Sequence, residues 1–317
     1  MRTGLCLIGM MAACSEVGFQ SIDPDELPQS LVVAEERFVQ QGLPAADILF
    51  VVDHTASMAQ EQAALAAEFD ALTGGLDVAN IAWQLGVVTM AAQGDRAGWL
   101  QGDPWVVTSD SPDPEGDFAR AVAVGTDGVG VEAGLAAALL ALGLADEEGP
   151  NAGFRRPEAA LHVVFVSDSD DESDVELGDD PVNTFLDRLA EERDRTGWPA
   201  AASAIVGPLP DGCVSDSGSA LPAERYLEVV DRSGGASTSI CAADFRGLLA
   251  RVADVDVDLP TVFELADRVL DPTGMRVTVN GVASTRWTYQ ADPPAVVFTA
   301  GPAANAVITV SYLVSNQ

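Results

Sequence analysis

Asp53, Thr55 and Ser57 stand at alternate positions directly after the apolar run Ile48-Leu-Phe-Val-Val52. One carboxylate and two hydroxyls at the carboxyl end of a strand outline a site for a hard cation. Oxygen donors of this kind suit Mg²⁺ or Mn²⁺, which favour octahedral geometry and keep several waters. Three donors on one loop are too few for a divalent cation, so the rest must come from loops at the same sheet edge. Two candidates stand in suitable places. Thr126 lies in Gly125-Thr-Asp-Gly128, ahead of a helix containing Glu132, and Asp168 closes Phe165-Val-Ser-Asp168 after another apolar run.

The elements that must carry these residues alternate. Apolar runs at 48–52, 81–90, 161–166, 201–206 and 237–240 predict strands. Helical spacing predicts helices at 61–72, 132–144, 182–195, 222–232 and 242–252. Strands alternating with helices imply an α/β fold, a doubly wound and mostly parallel sheet flanked by helices on both faces. Residues 91–117, rich in Gly, Asp and Pro, read as a long loop or hairpin that folds back through Trp99, Leu100, Trp105 and Val106. The five tryptophans (83, 99, 105, 198 and 287) have no stacking arrangement and are expected in the core. From 259 onward β-branched runs at 276–279, 296–299 and 307–314 are separated by turn signals such as Asn280-Gly281, which predicts a small all-β module. The division is then a signal segment at 1–20, a tether at 21–44 with a short helix at 31–40, an α/β domain at 45–258 and the β module at 259–317.

The chain has 317 residues and a formal charge of −33, and all 16 of its basic residues are arginine. Such acidity is expected to repel nucleic acid and anionic lipid and to attract divalent cations and basic partners. It is also open to the plainer reading of a surface that keeps the chain soluble, as in salty surroundings. Arg2 and the apolar stretch after it form a targeting segment too short to span a bilayer. Met11-Ala-Ala-Cys14 resembles a bacterial lipobox, in which Cys14 becomes lipid-modified and anchors the mature protein. Ser15 behind it is compatible with the outer membrane of a Gram-negative cell. Cys213 and Cys241, an even pair in an exported chain, read as a disulfide. Closing that loop contributes about 3 to 4 kcal/mol in the chain-entropy model.

The run Asp53-His-Thr-Ala-Ser57 resembles Asp-x-Ser-x-Ser, the first part of the metal-ion-dependent adhesion site of von Willebrand factor A domains. The order Asp53, Thr55, Ser57, Thr126, Asp168 follows that site residue by residue, with Thr55 where the family usually has Ser. The resemblance implies that Ser57 and Thr126 coordinate directly and that Asp53 and Asp168 act partly through water. It also implies an open coordination position that accepts an acidic residue of a protein ligand. Three further stretches, 124–135, Asn151-Ala-Gly-Phe-Arg155 and Val166-Ser-Asp-Ser-Asp-Asp171, look like a group of bacterial lipoproteins bearing this domain. Together the resemblance covers residues 47 to 255.

The other candidates are weaker. Asp168-Ser-Asp-Asp-Glu-Ser-Asp174 is open between a solvated acidic loop and a second ion such as Ca²⁺, although it lacks the glycine and terminal glutamate of an EF-hand. His54 at a variable position is read as neither base nor zinc ligand, and His162 as a satisfied core residue. The resulting expectation is a membrane-anchored binding protein of the cell envelope and not an enzyme. The alternatives are an envelope scaffold with an inert site, or a metal-dependent hydrolase. Against the hydrolase, no Gly-x-Ser-x-Gly elbow, phosphate-cradling glycine loop or His-Glu-x-x-His is present, and Thr55 stands where Asp-x-Asp chemistry needs a second acid.

Overall fold

The computed structural model describes residues 31–40, 45–79, 81–128, 131–145, 148–215, 218–253, 260–302 and 306–315. The signal segment with Cys14, and tether residues 21–30, lie outside the described residues. The first element is β1 (Leu31–Val39), followed by β2 (Ala45–Val52). In place of one helix over 61–72 there are two, α1 (Ala59–Ala67) and α2 (Phe69–Val78), parted at Glu68, whose amide bonds back only three residues to Leu65. After β3 (Ala82–Thr89), the glycine-rich segment ends in the short β4 (Val107–Thr108) and the start of α3 (Pro114–Val122). Asp113 caps that helix through the Gly116 amide, with Pro114 in its first turn, where the missing N–H costs nothing.

The alternation then continues through α4 (Gly134–Gly143), β5 (Ala159–Val166), α5 (Asp174–Leu177), α6 (Pro181–Thr196) and β6 (Ala200–Val206). A hairpin of β7 (Cys213–Ser215) and β8 (Gly218–Ala220) precedes α7 (Glu224–Ser233), β9 (Ser237–Ser239) and α8 (Arg246–Ala253). Gly197 and Gly234, at φ 72° and 80°, end α6 and α7 in the left-handed conformation that glycine adopts without a Cβ penalty. Cys213 and Cys241 form the expected disulfide, which ties β7 to the segment after β9.

Six strands form one sheet in the order β4-β3-β2-β5-β6-β9, parallel except for β4. Every residue of β2 is buried, because helices cover both faces. Ile48, Phe50 and Val52 join one core with Leu65, Phe69, Phe118 and Leu249; Leu49 and Val51 join the other with Leu135, Phe165, Phe185 and Tyr226. Each such large side chain, fully buried, contributes about 1.5–3 kcal/mol. The chain leaves β2 toward β3 on one side and returns to β5 on the other. The winding therefore reverses between β2 and β5, and the carboxyl ends of these two strands are where open α/β sheets place their ligand sites.

At the opposite end of β2 the fully buried Asp47 accepts hydrogen bonds from Arg155 Nη1 at 2.9 Å, the Arg156 amide at 2.7 Å and Arg156 Nε at 2.8 Å. Arg155 also bonds Glu192 of α6 at 3.1 Å. The 151–155 motif is thus structural. Asn151 accepts from the Leu100 amide and donates to the carbonyls of Gly98 and Ala141, while Phe154 fills the core.

The remaining strands are β10 (Val262–Glu264), β11 (Arg276–Val279), β12 (Val282–Ala283), β13 (Trp287–Ala291), β14 (Pro294–Phe298) and β15 (Val307–Ser315). They form antiparallel sheets in the orders β1-β15-β11-β12 and β10-β14-β13, which share a core of Phe263, Val277, Val296, Phe298, Ile308 and Val310. The first sheet corrects the reading of residues 31–40. They are a strand of the β module, paired over all nine residues with β15, and neither a helix nor a free tether. Ala34, Glu36 and Phe38 turn inward at period two, and Phe38 meets the Phe263 ring at 5.6 Å. The α/β unit therefore lies, in sequence, between the first strand of the β module and the rest. Two tryptophans also depart from expectation. Trp83 is buried, but Trp99 and Trp105 are 39% and 40% exposed. No helix among the described residues is long and apolar enough to cross a membrane.

Candidate functional site

The amide of Asp53 donates to the Val166 carbonyl, prolonging the β2–β5 ladder by one step and fixing where the aspartate emerges. Its carboxylate is fully buried and held on both sides. Oδ1 accepts from the Thr55 amide at 2.7 Å, and Oδ2 accepts from the Ser167 hydroxyl at 3.0 Å. Thr55 and Ser57, which turn into a short 3₁₀ segment, bring their hydroxyls to 3.3 Å from each other. Gln62 of α1 donates to the Asp53 carbonyl at 3.0 Å and to the Gly125 carbonyl at 2.8 Å. That one buried amide joins the Asp53 loop to the loop carrying Thr126. Gly128 completes the seam: its amide donates to the His54 carbonyl, and a Cβ there would lie 2.5 Å from the His54 ring. Only glycine permits that approach. His54 thus supports the loop with its ring against Gly128.

Asp168 follows β5 as Asp53 follows β2. Glu132, just before α4, joins them, and one carboxylate oxygen from each of Asp53, Glu132 and Asp168 lies within 4.8 Å of the other two. The Glu132 amino acid is half-buried, and its carboxyl is pushed up to about 6 by burial, then by the Asp53 and Asp168 charges, against a hydrogen bond from Ser169. Burial also raises Glu61 of α1, and Asp168 and Asp53 raise it further. Among the described residues no arginine forms an ion pair with Asp53, Glu132 or Asp168. The site concentrates negative charge without an internal counter-ion.

A divalent cation fits this donor set. Ligand oxygens at about 2.1 Å in an octahedron stand roughly 3 Å apart when adjacent and roughly 4.2 Å when opposite. Oxygens within 4.8 Å of one another reach that spacing by small side-chain movements. Thr55 is half-buried, Ser57 is exposed, and Thr126 is half-buried on a loop tied to theirs. Sequence reasoning placed Glu132 only as a helix residue and passed over Ser167. Glu132 was visible as the acid in Gly-x-Gly-x-Glu, whereas nothing in the sequence singles out Ser167.

The acid-rich 168–174 loop is built differently from either reading of it. Asp171 is buried and accepts from the Leu135 amide at 2.9 Å, and Ser173 accepts from the Ala136 amide at 3.0 Å, so the pair caps α4. Asp170 accepts from the Arg225 amide at the start of α7, and Arg225 grips Asp174 with two nitrogens at 2.7 and 2.8 Å. Carboxylates at helix N-termini are favoured by the free amides and the dipole. Three of the loop's acids are therefore spent on holding α4 and α7 in place, and only Asp168 joins the carboxylate trio.

No protein-family model matches the chain, and no curated protein matches it. Several solved structures align with it at low similarity. The pilus adhesin SpaC from Lactobacillus rhamnosus GG, in its open conformation, aligns over 90% of this chain and 41% of its own, at 12% identity and a TM-score of 0.42. The pilus adhesin RrgA from Streptococcus pneumoniae aligns over 94% of this chain and 60% of its own, at 8% identity and 0.36. Proximal thread matrix protein 1 from the mussel byssus aligns over 74% and 51%, at 18% identity and 0.35. The chain spans less than half the length of SpaC and less than two thirds of the other two.

Proposed function

We propose that this chain is a cell-envelope binding protein with a von Willebrand factor A type domain, whose site holds Mg²⁺ or Mn²⁺ and captures an acidic residue of a protein ligand. The observation that carries this reading is the trio of Asp53, Glu132 and Asp168 at the winding reversal, with no internal counter-ion. Asp53, Thr55, Ser57, Thr126 and Asp168 would hold the cation. Thr55, Ser57 and Thr126 would bring neutral hydroxyls, so only the carboxylates, Asp53 and Asp168 partly through water, would offset the cation's charge. Glu132, within 4.8 Å of both aspartates, would supply an additional oxygen. In this reading Cys14 carries the lipid anchor, in the outer membrane of a Gram-negative cell.

The test is calorimetric titration of Mg²⁺ and Mn²⁺ into metal-stripped protein lacking residues 1–20, with Asp53→Ala alongside. Saturable binding near one equivalent, lost in the variant, is the expected result. Absence of binding, or binding untouched by the substitution, would overturn the metal-dependent reading.

A further inference from the structure

A cleft of about 480 Å³ opens between α1 and the segment running from Ile240 to Phe245. Ala64, Ile240, Ala242, Ala243 and Phe245 give it an apolar wall. Glu61 also lines it. That residue is only 7% exposed, and its Oε2 has no hydrogen-bond partner among the described residues. A buried carboxylate oxygen without a donor is costly, and a ligand that supplies the missing donor offsets that cost. The arginine nearest in sequence to the cleft, Arg246, is committed to Glu68 at 2.8 Å. Among the described residues no basic side chain forms an ion pair with Glu61.

An apolar wall with one buried carboxylate matches an aliphatic stem ending in a cationic head. We propose that this cleft is a second recognition subsite, which takes a lysine or arginine side chain of the protein ligand against Glu61. The proposal rests on the binding-protein reading above and says what else the partner must present. A partner bringing a carboxylate to a chain of formal charge −33 approaches against repulsion. A basic residue near that carboxylate offsets the repulsion and restricts which acidic partners are accepted. Glu61 stands next to Gln62, whose side-chain amide holds the Asp53 carbonyl at 3.0 Å, so the two subsites lie within reach of one ligand surface.

The test uses N-acetyl-lysine methylamide and its neutral norleucine counterpart, titrated into the protein lacking residues 1–20 and followed by calorimetry and NMR. The lysine probe is expected to bind saturably with and without Mg²⁺, at least tenfold more tightly than the norleucine probe. Glu61→Gln should weaken lysine-probe binding at least tenfold while leaving the one-equivalent Mg²⁺ titration in place. Ala64→Phe, which fills the cleft and leaves the carboxylate intact, should do the same. Equal binding of the two probes, or unchanged lysine-probe binding in both variants, would overturn the proposal. Loss of Mg²⁺ binding alone, with the lysine probe still bound, would count against the metal site and leave the cleft supported.

Discussion

Strand β2 carries a fully buried aspartate at each end, and the two are treated in opposite ways. Asp47, near the start, faces two arginines and a backbone amide; burial raises its carboxyl, and Arg156 and Arg155 oppose the rise. Asp53, just past the other end, has neutral donors around it and two further carboxylates within 4.8 Å. At an effective dielectric of about 20, like charges that far apart repel by roughly 3 kcal/mol per pair. One end of the strand is neutralised from within, which serves the fold. Among the described residues the other has no cationic partner, and the proposed binding rests on that difference.

The comparison breaks most easily at Arg155. Removing one partner of a buried ion pair leaves the other charge uncompensated and costs about 3–5 kcal/mol. Arg155→Ala takes one arginine from Asp47, which keeps Arg156, and one from Glu192, which keeps Arg188 and Arg195, so urea unfolding in the presence of chelator should show a loss at the lower end of that range. Asp53→Asn keeps the shape and an acceptor for the Thr55 amide while removing one of three like charges. Its metal-free stability should match or exceed that of the unchanged protein. A cost for Asp53→Asn equal to that for Arg155→Ala would erase the distinction between the two ends.

Adding the cation sharpens the same contrast. A ligand that binds only the folded state stabilises it by about 2.7 kcal/mol at a hundredfold excess over Kd. Saturating Mg²⁺ should raise the unfolding midpoint of the unchanged protein accordingly, and should do nothing for Asp53→Asn. Arg155→Ala, weakened as it is, should still gain the full increment, because its lesion lies at the other end of β2. A gain in Asp53→Asn would mean that the cation binds elsewhere on the acidic surface.

The two ends also differ in how far the sequence exposed them. Asp53, Thr55 and Ser57 announced themselves because their spacing is local, and β5 with Asp168 followed from the same strand-then-acid pattern. The parallel sheet was legible from its uninterrupted apolar runs. Glu132 was harder, since its approach to Asp53 depends on where α4 begins, and that is set by Asp171 and Ser173 capping it from a loop more than thirty residues away. The same capping explains why the acidic loop resembled an ion site. Its carboxylates are matched to backbone amides, which composition does not reveal. The strand at 31–39 was misread for a related reason: its partner is β15, across the whole chain, and Leu-Val-Val-Ala carries no local sign of it. Asp47 gave no hint of Arg155 and Arg156, more than a hundred residues on.

The smallest expected effect is a pH dependence that runs against the usual acid lability. In metal-free protein the Glu132 carboxyl lies at about 6, against 4.5 for an ordinary glutamate, because burial comes on top of the Asp53 and Asp168 charges. Between those values the folded state holds more protons than the unfolded one, so stability must fall as pH rises through the window. The full shift corresponds to about 2 kcal/mol, and partial exposure of Glu132 reduces it to about 1 kcal/mol. Asp170 and Asp171, raised first by burial, act in the same direction. Chemical unfolding with chelator present should therefore give greater stability at pH 5 than at pH 7.5. Glu132→Gln should remove the part due to that residue. Further acidification reverses the sign. Asp174 and Asp180 are lowered by side-chain hydrogen bonds from Arg225 and Asn183, and their stabilisation is lost as pH falls through their folded values. Saturating Mg²⁺ should flatten the upper window, because a cation then occupies the place a proton fills at Glu132. A metal-free profile that instead rises steadily from pH 5 to 7.5 would show that the Asp53 end of β2 is neutralised from within after all, as the Asp47 end is.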